Sequence, residues 1–268
     1  MKKFSRNLLI ISIIVFAVGA VALVASANHS WGSYHWARTS NPFTLKLGDN
    51  VSTAWDVYLN TASSQWSESS VLDTTIVAGG TNNTKGRLTP KNCVPTSGRI
   101  EVCNAKYGST GWLGIAQIWI SGDHIVQGIT KLNDIYFNTS YYNNAGWKGL
   151  VLCQEVGHDF GLDHQNEDFN DEPIVEHTCM DYFVPSASEV VGPNVHDYEQ
   201  LETMYGHLDS TATATLSEPS KGNSVEVDLD NPAEWGKSLK QDSQGKDNLF
   251  VRDLGNGRKV FTHVFWAQ

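Results

Sequence analysis

The sequence predicts an α+β domain followed by a small β appendage. Segments that alternate apolar and polar residues, such as Phe43-Thr-Leu-Lys-Leu47, are interleaved with segments whose apolar residues recur three or four apart, such as Trp55, Tyr58, Leu59, Ala62 and Trp66. A stretch rich in Ser, Thr and acids, from about Asp209 to Pro232, then separates these elements from a last group of alternating residues.

The N-terminus reads as an export signal. Lys2, Lys3 and Arg6 precede the uncharged run Leu8 to Ala27, which closes on Ala25-Ser26-Ala27, a pattern that signal peptidase accepts. The alternative is an uncleaved anchor, since the run is near the roughly 20 residues that span a bilayer. Cleavage predicts a secreted protein, and retention a membrane-tethered one. Removal of residues 1–27 would discard basic residues and no acids, leaving a more acidic chain in which disulfides can persist.

The rest of the chain follows in order. Phe43–Leu47 is a first strand, and Ser52 can cap the helix that carries Trp55 to Trp66. Thr74–Val77 is a second strand, ended by Gly79-Gly80 and followed by a polar loop to about Gly98. Ile100–Cys103 is a short strand. Trp112–Ile120, Ser121-Gly122-Asp123 and Ile125–Asn133 have the form of an antiparallel hairpin. After Trp147 an apolar-periodic helix runs to about Phe160, stopped by Gly161. Residues 165–193 read as irregular, and a last helix runs from His196 to about Gly206. Leu249–Leu254, Gly255-Asn256-Gly257 and Val260–Trp266 form one hairpin. The expected units are therefore a signal at 1–27, a domain at 28–208, a linker at 209–232 and a hairpin extension at 233–268.

Composition narrows the function. The 268 residues hold 29 Asp and Glu against 19 Lys and Arg, a net charge of −10, which argues against nucleic-acid binding by overall field. With 40% hydrophobic and only 18% charged residues, the chain has enough apolar surface to build a core.

The chemistry concentrates in Gln154-Glu-Val-Gly-His-Asp-Phe-Gly-Leu-Asp-His164. Positions four apart share a helix face, so Gln154 and His158 point together at one ligand. Gly161 lets the chain leave the helix sharply, and His164 can swing back as a third ligand. Glu155 is placed to touch a water on the metal rather than the metal. Further on comes Cys179-Met180-Asp181-Tyr182.

This segment resembles the metzincin metalloprotease signature H-E-x-x-H-x-x-G-x-x-H at every defined position but the first, and Met180 falls where metzincins place their Met-turn. Gly161-Leu-Asp-His164 and the closing Met204-Tyr205-Gly206 look matrixin-like. Gln154 resembles the gametolysin-like branch, which tolerates Gln in the first ligand position, and Tyr182 matches the Met-turn tyrosine of astacin-like members. The fold implied is a twisted mixed sheet with an edge strand over a cleft, an active-site helix, a Met-turn and a C-terminal helix.

The resemblance implies a secreted zinc metalloendopeptidase. Gln154, His158 and His164 would hold the metal, a water on it would attack the scissile carbonyl, and Glu155 would carry the proton to the leaving amine. Gln is a weaker, harder ligand than imidazole, so another divalent metal can compete with zinc there. Tyr182 would bind the metal at rest or donate to the oxyanion; otherwise it is a core aromatic. The substrate is an extended protein or peptide that adds antiparallel to the edge strand Leu113–Ile120, next to Leu113, Ile115 and Gln117. No nucleic acid, and no membrane once the signal is cleaved, is implied as a partner, and the chain is taken as a monomer. The competing function is an inactive fold of this type, kept as a secreted or tethered binding module.

Four cysteines allow three pairings. Cys93 and Cys103 flank a turn, and a Cys153–Cys179 bridge would join the active-site helix to the Met-turn, which lie close in this fold. Cys153 as a metal ligand is disfavoured because it sits about 100° around the helix from Gln154. The acidic loop from Asn166 to Glu172 is either a calcium site or a solvated loop. His177 is a surface histidine or an extra ligand. His29, His35, His124, His196, His207 and His263 carry no ligand spacing and read as structural or exposed.

Overall fold

The structure is a computed structural model that describes residues 29–80, 93–170, 177–213 and 229–268. The expected export signal lies outside the described residues, as do residues 81–92 of the polar loop, 171–176 of the acidic loop and 214–228 of the expected linker. No helix among the described residues is long and apolar enough to cross a membrane.

Nine strands make one mixed sheet: β1 His35–Trp36, β2 Phe43–Asn50, β3 Leu72–Ala78, β4 Arg99–Ala105, β5 Trp112–Ser121, β6 His124–Asn133, β7 Lys237–Gln241, β8 Asp247–Gly255 and β9 Arg258–Trp266. Their order is β3-β2-β4-β6-β5-β9-β8-β7, with β1 pairing β6. Strands β1, β2, β3, β4 and β6 run parallel to their partners within this group, while β5 is antiparallel to β6. Parallel neighbours need a crossover. Helix α1, Asp56–Trp66, supplies it between β2 and β3.

Among the described residues the further helices are α2 (Asp134–Phe137), α3 (Ala145–Asp159) and α4 (Val195–Met204), and a 3₁₀ turn spans Pro232–Glu234. Buried residues of β2, α1, β4, β5, β6 and α3 form one apolar core that includes Leu45, Leu59, Val102, Ile118, Leu132 and Leu150. Helix α3 packs on β5 and β6 and also against α1. Asn144 caps α3 by accepting from the amide of Trp147, and Asn194 caps α4 in a capping box with Asp197. The cap of α1 differs from expectation. Trp55 takes that position without a side-chain bond. Ser52 instead lies in the preceding turn, where its hydroxyl accepts from Asn104 and its carbonyl from the amide of Trp55.

The C-terminal residues give more than a separate hairpin. Strand β9 pairs antiparallel with β5 from Trp112↔Trp266 to Ser121↔Arg258, so β7, β8 and β9 continue the sheet of the main domain. Trp235, just past the 3₁₀ turn, closes the outer face over Trp112, Ile115 and Val264. The beginning of the expected linker is tied down too: the amide of Asp209 donates to Arg38 O and that of Thr213 to Ala37 O, each at 2.8 Å. Both disulfides, Cys93–Cys103 and Cys153–Cys179, are formed, and no described cysteine is free.

Candidate metal centre and active site

Helix α3 presents the site, and its local sequence explains how. Leu150, Val151 and Val156 bury the helix in the core, which carries Gln154, Glu155 and His158 inside with it. Gly161, at φ +99°, lies in the left-handed region that a residue with a Cβ avoids, and it turns the chain so that His164 returns beneath the helix end.

His158 and His164 meet. Their Nε2 atoms are 3.0 Å apart. His158 Nδ1 donates to the carbonyl of Leu162 at 2.8 Å, and His164 Nδ1 to the carboxylate of Glu167 at 2.7 Å. Carbonyl and carboxylate oxygens only accept, so each Nδ1 carries the proton and each Nε2 turns a lone pair toward the other. Two converging lone pairs repel unless a cation or a proton lies between them. Two nitrogens on a tetrahedral zinc, at bonds of about 2.0–2.1 Å, would stand about 3.3 Å apart, close to what is seen. The fixing of each tautomer by a carbonyl or carboxylate is the arrangement that metal-bound histidines use.

Burial pushes the pKa of His158 down to about 4 and that of His164 well below its ordinary value, so both rings are neutral and able to ligate near neutral pH. Glu155 is fully buried and neither of its oxygens makes a hydrogen bond of normal geometry. Desolvation raises its pKa well above the carboxylate range; the nearby Asp159 adds to the rise and the amide of Ala116 only partly offsets it. Asp159 is likewise buried, and Thr130 donates to it at 2.8 Å.

The remaining expected site residues fall close by, with different partners. Gln154 is buried, and its amide nitrogen donates to the carbonyls of Cys179 at 2.8 Å and Asp181 at 3.3 Å, which ties α3 to the turn around Met180. Its Oε1 has no hydrogen-bond partner among the described residues. Met180 is fully buried under the helix: a Cβ on Gly157 would fall 2.6 Å from its sulfur. The Cys153–Cys179 bridge fastens the same two elements. The ring of Tyr182 packs on His164, centroids 4.4 Å apart, but its hydroxyl points to the carbonyl of Val264 on β9 at 3.5 Å.

The edge expected to receive substrate is filled. Leu113 lies in the main core, Ile115 in the cluster around Trp235, and Gln117 donates to Thr262 on β9 and to the carbonyl of Leu229. The expectation that Leu113, Ile115 and Gln117 border an open strand edge is therefore corrected: β9 pairs along that edge. Trp112 is buried in the outer cluster, and Trp119 packs on the Cys93–Cys103 bridge.

No protein-family model matches the chain, and no curated protein matches it. Among solved structures it is similar to high choriolytic enzyme 1, a hatching enzyme zinc-protease from Oryzias latipes (medaka fish). That similarity has 13% identity and a TM-score of 0.36, over 67% of this chain and 99% of that chain.

His263, expected to be structural or exposed, lies against the two histidines of the candidate centre. His263 on β9 is fully buried, stacks on His158 with centroids 3.7 Å apart and meets His164 edge-on at 4.4 Å. The ligand atoms of His158, His164 and His263 all lie within 4.8 Å of one another. The available signal was a histidine in the middle of an apolar strand, Val260 to Trp266. His177 does not join this group; it stacks on Phe183. His35 and His124 instead gather around Asp209, where His207 also approaches.

The acidic loop serves the centre rather than standing free. Glu167 takes His164, Lys240 of β7 at 3.0 Å and Asn248 of β8 at 2.9 Å, while Lys240 also reaches Asp163 at 2.9 Å. Asp168 accepts from the amide of Asn170. Residues 171–172 of the calcium expectation lie outside the described residues.

Proposed function

We propose that the protein is a metal-dependent endopeptidase of the metzincin type, secreted, with Glu155 as its general base. The observation that carries the reading is the meeting of two tautomer-fixed imidazoles, His158 and His164, at the end of the helix that also buries the carboxylate of Glu155. The donors suit zinc: neutral nitrogen ligands in a dry pocket, with partners behind them. A divalent cation held there would polarise a peptide carbonyl and lower the pKa of water.

This chain's residues do the rest. Glu155, one position from the ligand face of α3, accepts the proton of the attacking water and hands it to the leaving nitrogen as the peptide bond breaks. Met180 packs against Gly157 and the Cys153–Cys179 bridge ties the same turn to α3, which holds the helix that carries His158 in place. An extended substrate pairing with β5 would take the place of β9, so the two pairings exclude one another. The two disulfides fit an oxidising, extracellular setting.

A second reading, a binding protein with a closed metal centre, is favoured by one observation: β9 covers the edge of β5 and leaves Glu155 without solvent. The experiment that separates them is digestion of casein by the purified, zinc-loaded chain. Proteolysis that chelator abolishes and Glu155→Gln removes supports the peptidase. A folded, zinc-bound chain that cleaves nothing refutes it.

A further inference from the structure

We infer that His263 is a metal ligand, the third imidazole of the centre, delivered by β9 in place of the histidine absent at residue 154. The inference rests on the metal-binding half of the proposed function and not on catalysis.

Three observations converge. The inward positions of β9 alternate Phe261, His263, Phe265, and both phenylalanines belong to the main core. An apolar residue between them would suffice for packing. The imidazole found there is fully buried, and among the described residues neither of its nitrogens has a hydrogen bond: the carboxylate of Asp163 stands 3.9 Å from Nε2, beyond hydrogen-bond distance, so burial costs free energy unless a partner binds. That ring faces His158 and His164, whose own Nε2 lone pairs already converge.

The side-chain nitrogen of residue 154 is engaged elsewhere: both groups around it are carbonyls, which only accept, so it holds the turn at Cys179–Asp181. Its Oε1 has no hydrogen-bond partner among the described residues, and Gln154→Ala tests whether that oxygen also binds the ion. Meanwhile the C-terminal strands reach the rest of the centre. Lys240 of β7 and Asn248 of β8 both hold Glu167, the carboxylate that orients His164. The same segment thus supplies a ligand and the support of another ligand.

The test is zinc affinity by competition with a chromophoric chelator, together with the visible spectrum of the cobalt-substituted full chain. A His124→Ala background keeps the separate group of His35, His124 and Asp209 from contributing a second ion. Losing an outer-shell partner typically costs 10- to 100-fold in metal affinity, so losing a ligand in His263→Ala is expected to cost more than about 100-fold. The cobalt bands should weaken in that variant. Thr262→Ala, its neighbour on the same strand, and Gln154→Ala are expected to keep the ion. His263→Cys should restore tight binding and add a thiolate-to-cobalt absorption band, which repacking alone would not produce.

The inference is overturned by a parent chain that binds no zinc, by a folded His263→Ala chain with unchanged affinity and cobalt spectrum, or by loss of the ion in Gln154→Ala but not in His263→Ala. Zinc held through His263 with no proteolysis would refute the peptidase and leave the ligand standing. Proteolysis with His263→Ala affinity unchanged would do the reverse.

Discussion

Gly114 on β5 lies so close to Glu155 on α3 that a Cβ at residue 114 would fall 2.6 Å from the Oε1 of the carboxylate and 2.6 Å from Val151. The absence of a side chain there is what lets a fully buried carboxylate sit against the sheet. Gly114→Ala forces either β5 or Glu155 to move. Overpacking of this kind costs about 1–3 kcal/mol. Thermal unfolding should register that loss, and casein digestion should fall with it. A variant with unchanged melting temperature and unchanged activity would show that the contact is slack.

Glu155→Gln keeps shape and removes the proposed base. General-base catalysis contributes about 100- to 10,000-fold, so proteolysis should drop by that range while zinc content stays at the parent level. Steady-state rates alongside metal analysis check it. Retained activity would assign the proton transfer to another group.

Asp181 offers a pH readout away from the histidines. Burial raises its pKa to about 6, against hydrogen bonding from Thr178 and with a further push from Asp197. The native state then binds a proton more tightly than the unfolded chain does. This residue therefore adds no penalty below pH 3.8, a growing one as pH rises from 3.8 to about 6, and its full penalty above that. The ceiling is about 3 kcal/mol. Asp181→Asn should be more stable than the parent at pH 8 and equal to it near pH 3.5 by urea denaturation. A difference independent of pH would mean that ionisation of Asp181 is not the cause.

The Cys153–Cys179 bridge spans 26 residues of chain. Loop-closure entropy for a ring of that size corresponds to about 3.5 kcal/mol. The double replacement Cys153→Ala with Cys179→Ala should lower the urea midpoint accordingly and loosen the hold of α3 on the turn around Met180. An unchanged midpoint would show that Gln154 and core packing suffice to join them.

What the sequence made legible was local. Alternation exposed β2, and three-to-four spacing exposed α1, α3 and α4, because one buried face imposes its period on the chain; β5 and β6, buried on both faces over most of their length, showed instead as runs on either side of Ser121-Gly122-Asp123. The proximity of His158 and His164 followed from helix geometry and one glycine. Strand β7 escaped notice because Lys237-Ser-Leu-Lys-Gln241 is short and mostly polar, as suits the last strand of a sheet. The neighbour of β5 was also hidden. Strand order joins residues more than a hundred positions apart, and the period of β9 says which of its faces is buried but not against which strand. His263 went unassigned for that reason: its meaning comes from Ala116, opposite which it pairs.

The position of β9 in the sheet also sets an order of events. It is the ninth strand along the chain yet lies in the interior of the sheet, between β5 and β8. While a chain is being made, β5 and β6 emerge well before it, and the edge of β5 stays unpaired until residues 258–266 arrive. An interrupted chain would therefore show an open, apolar strand edge of the kind that aggregates or is degraded. Closure of the sheet thus waits on the arrival of β9, and the strand that shields the edge of β5 is also the one that carries His263.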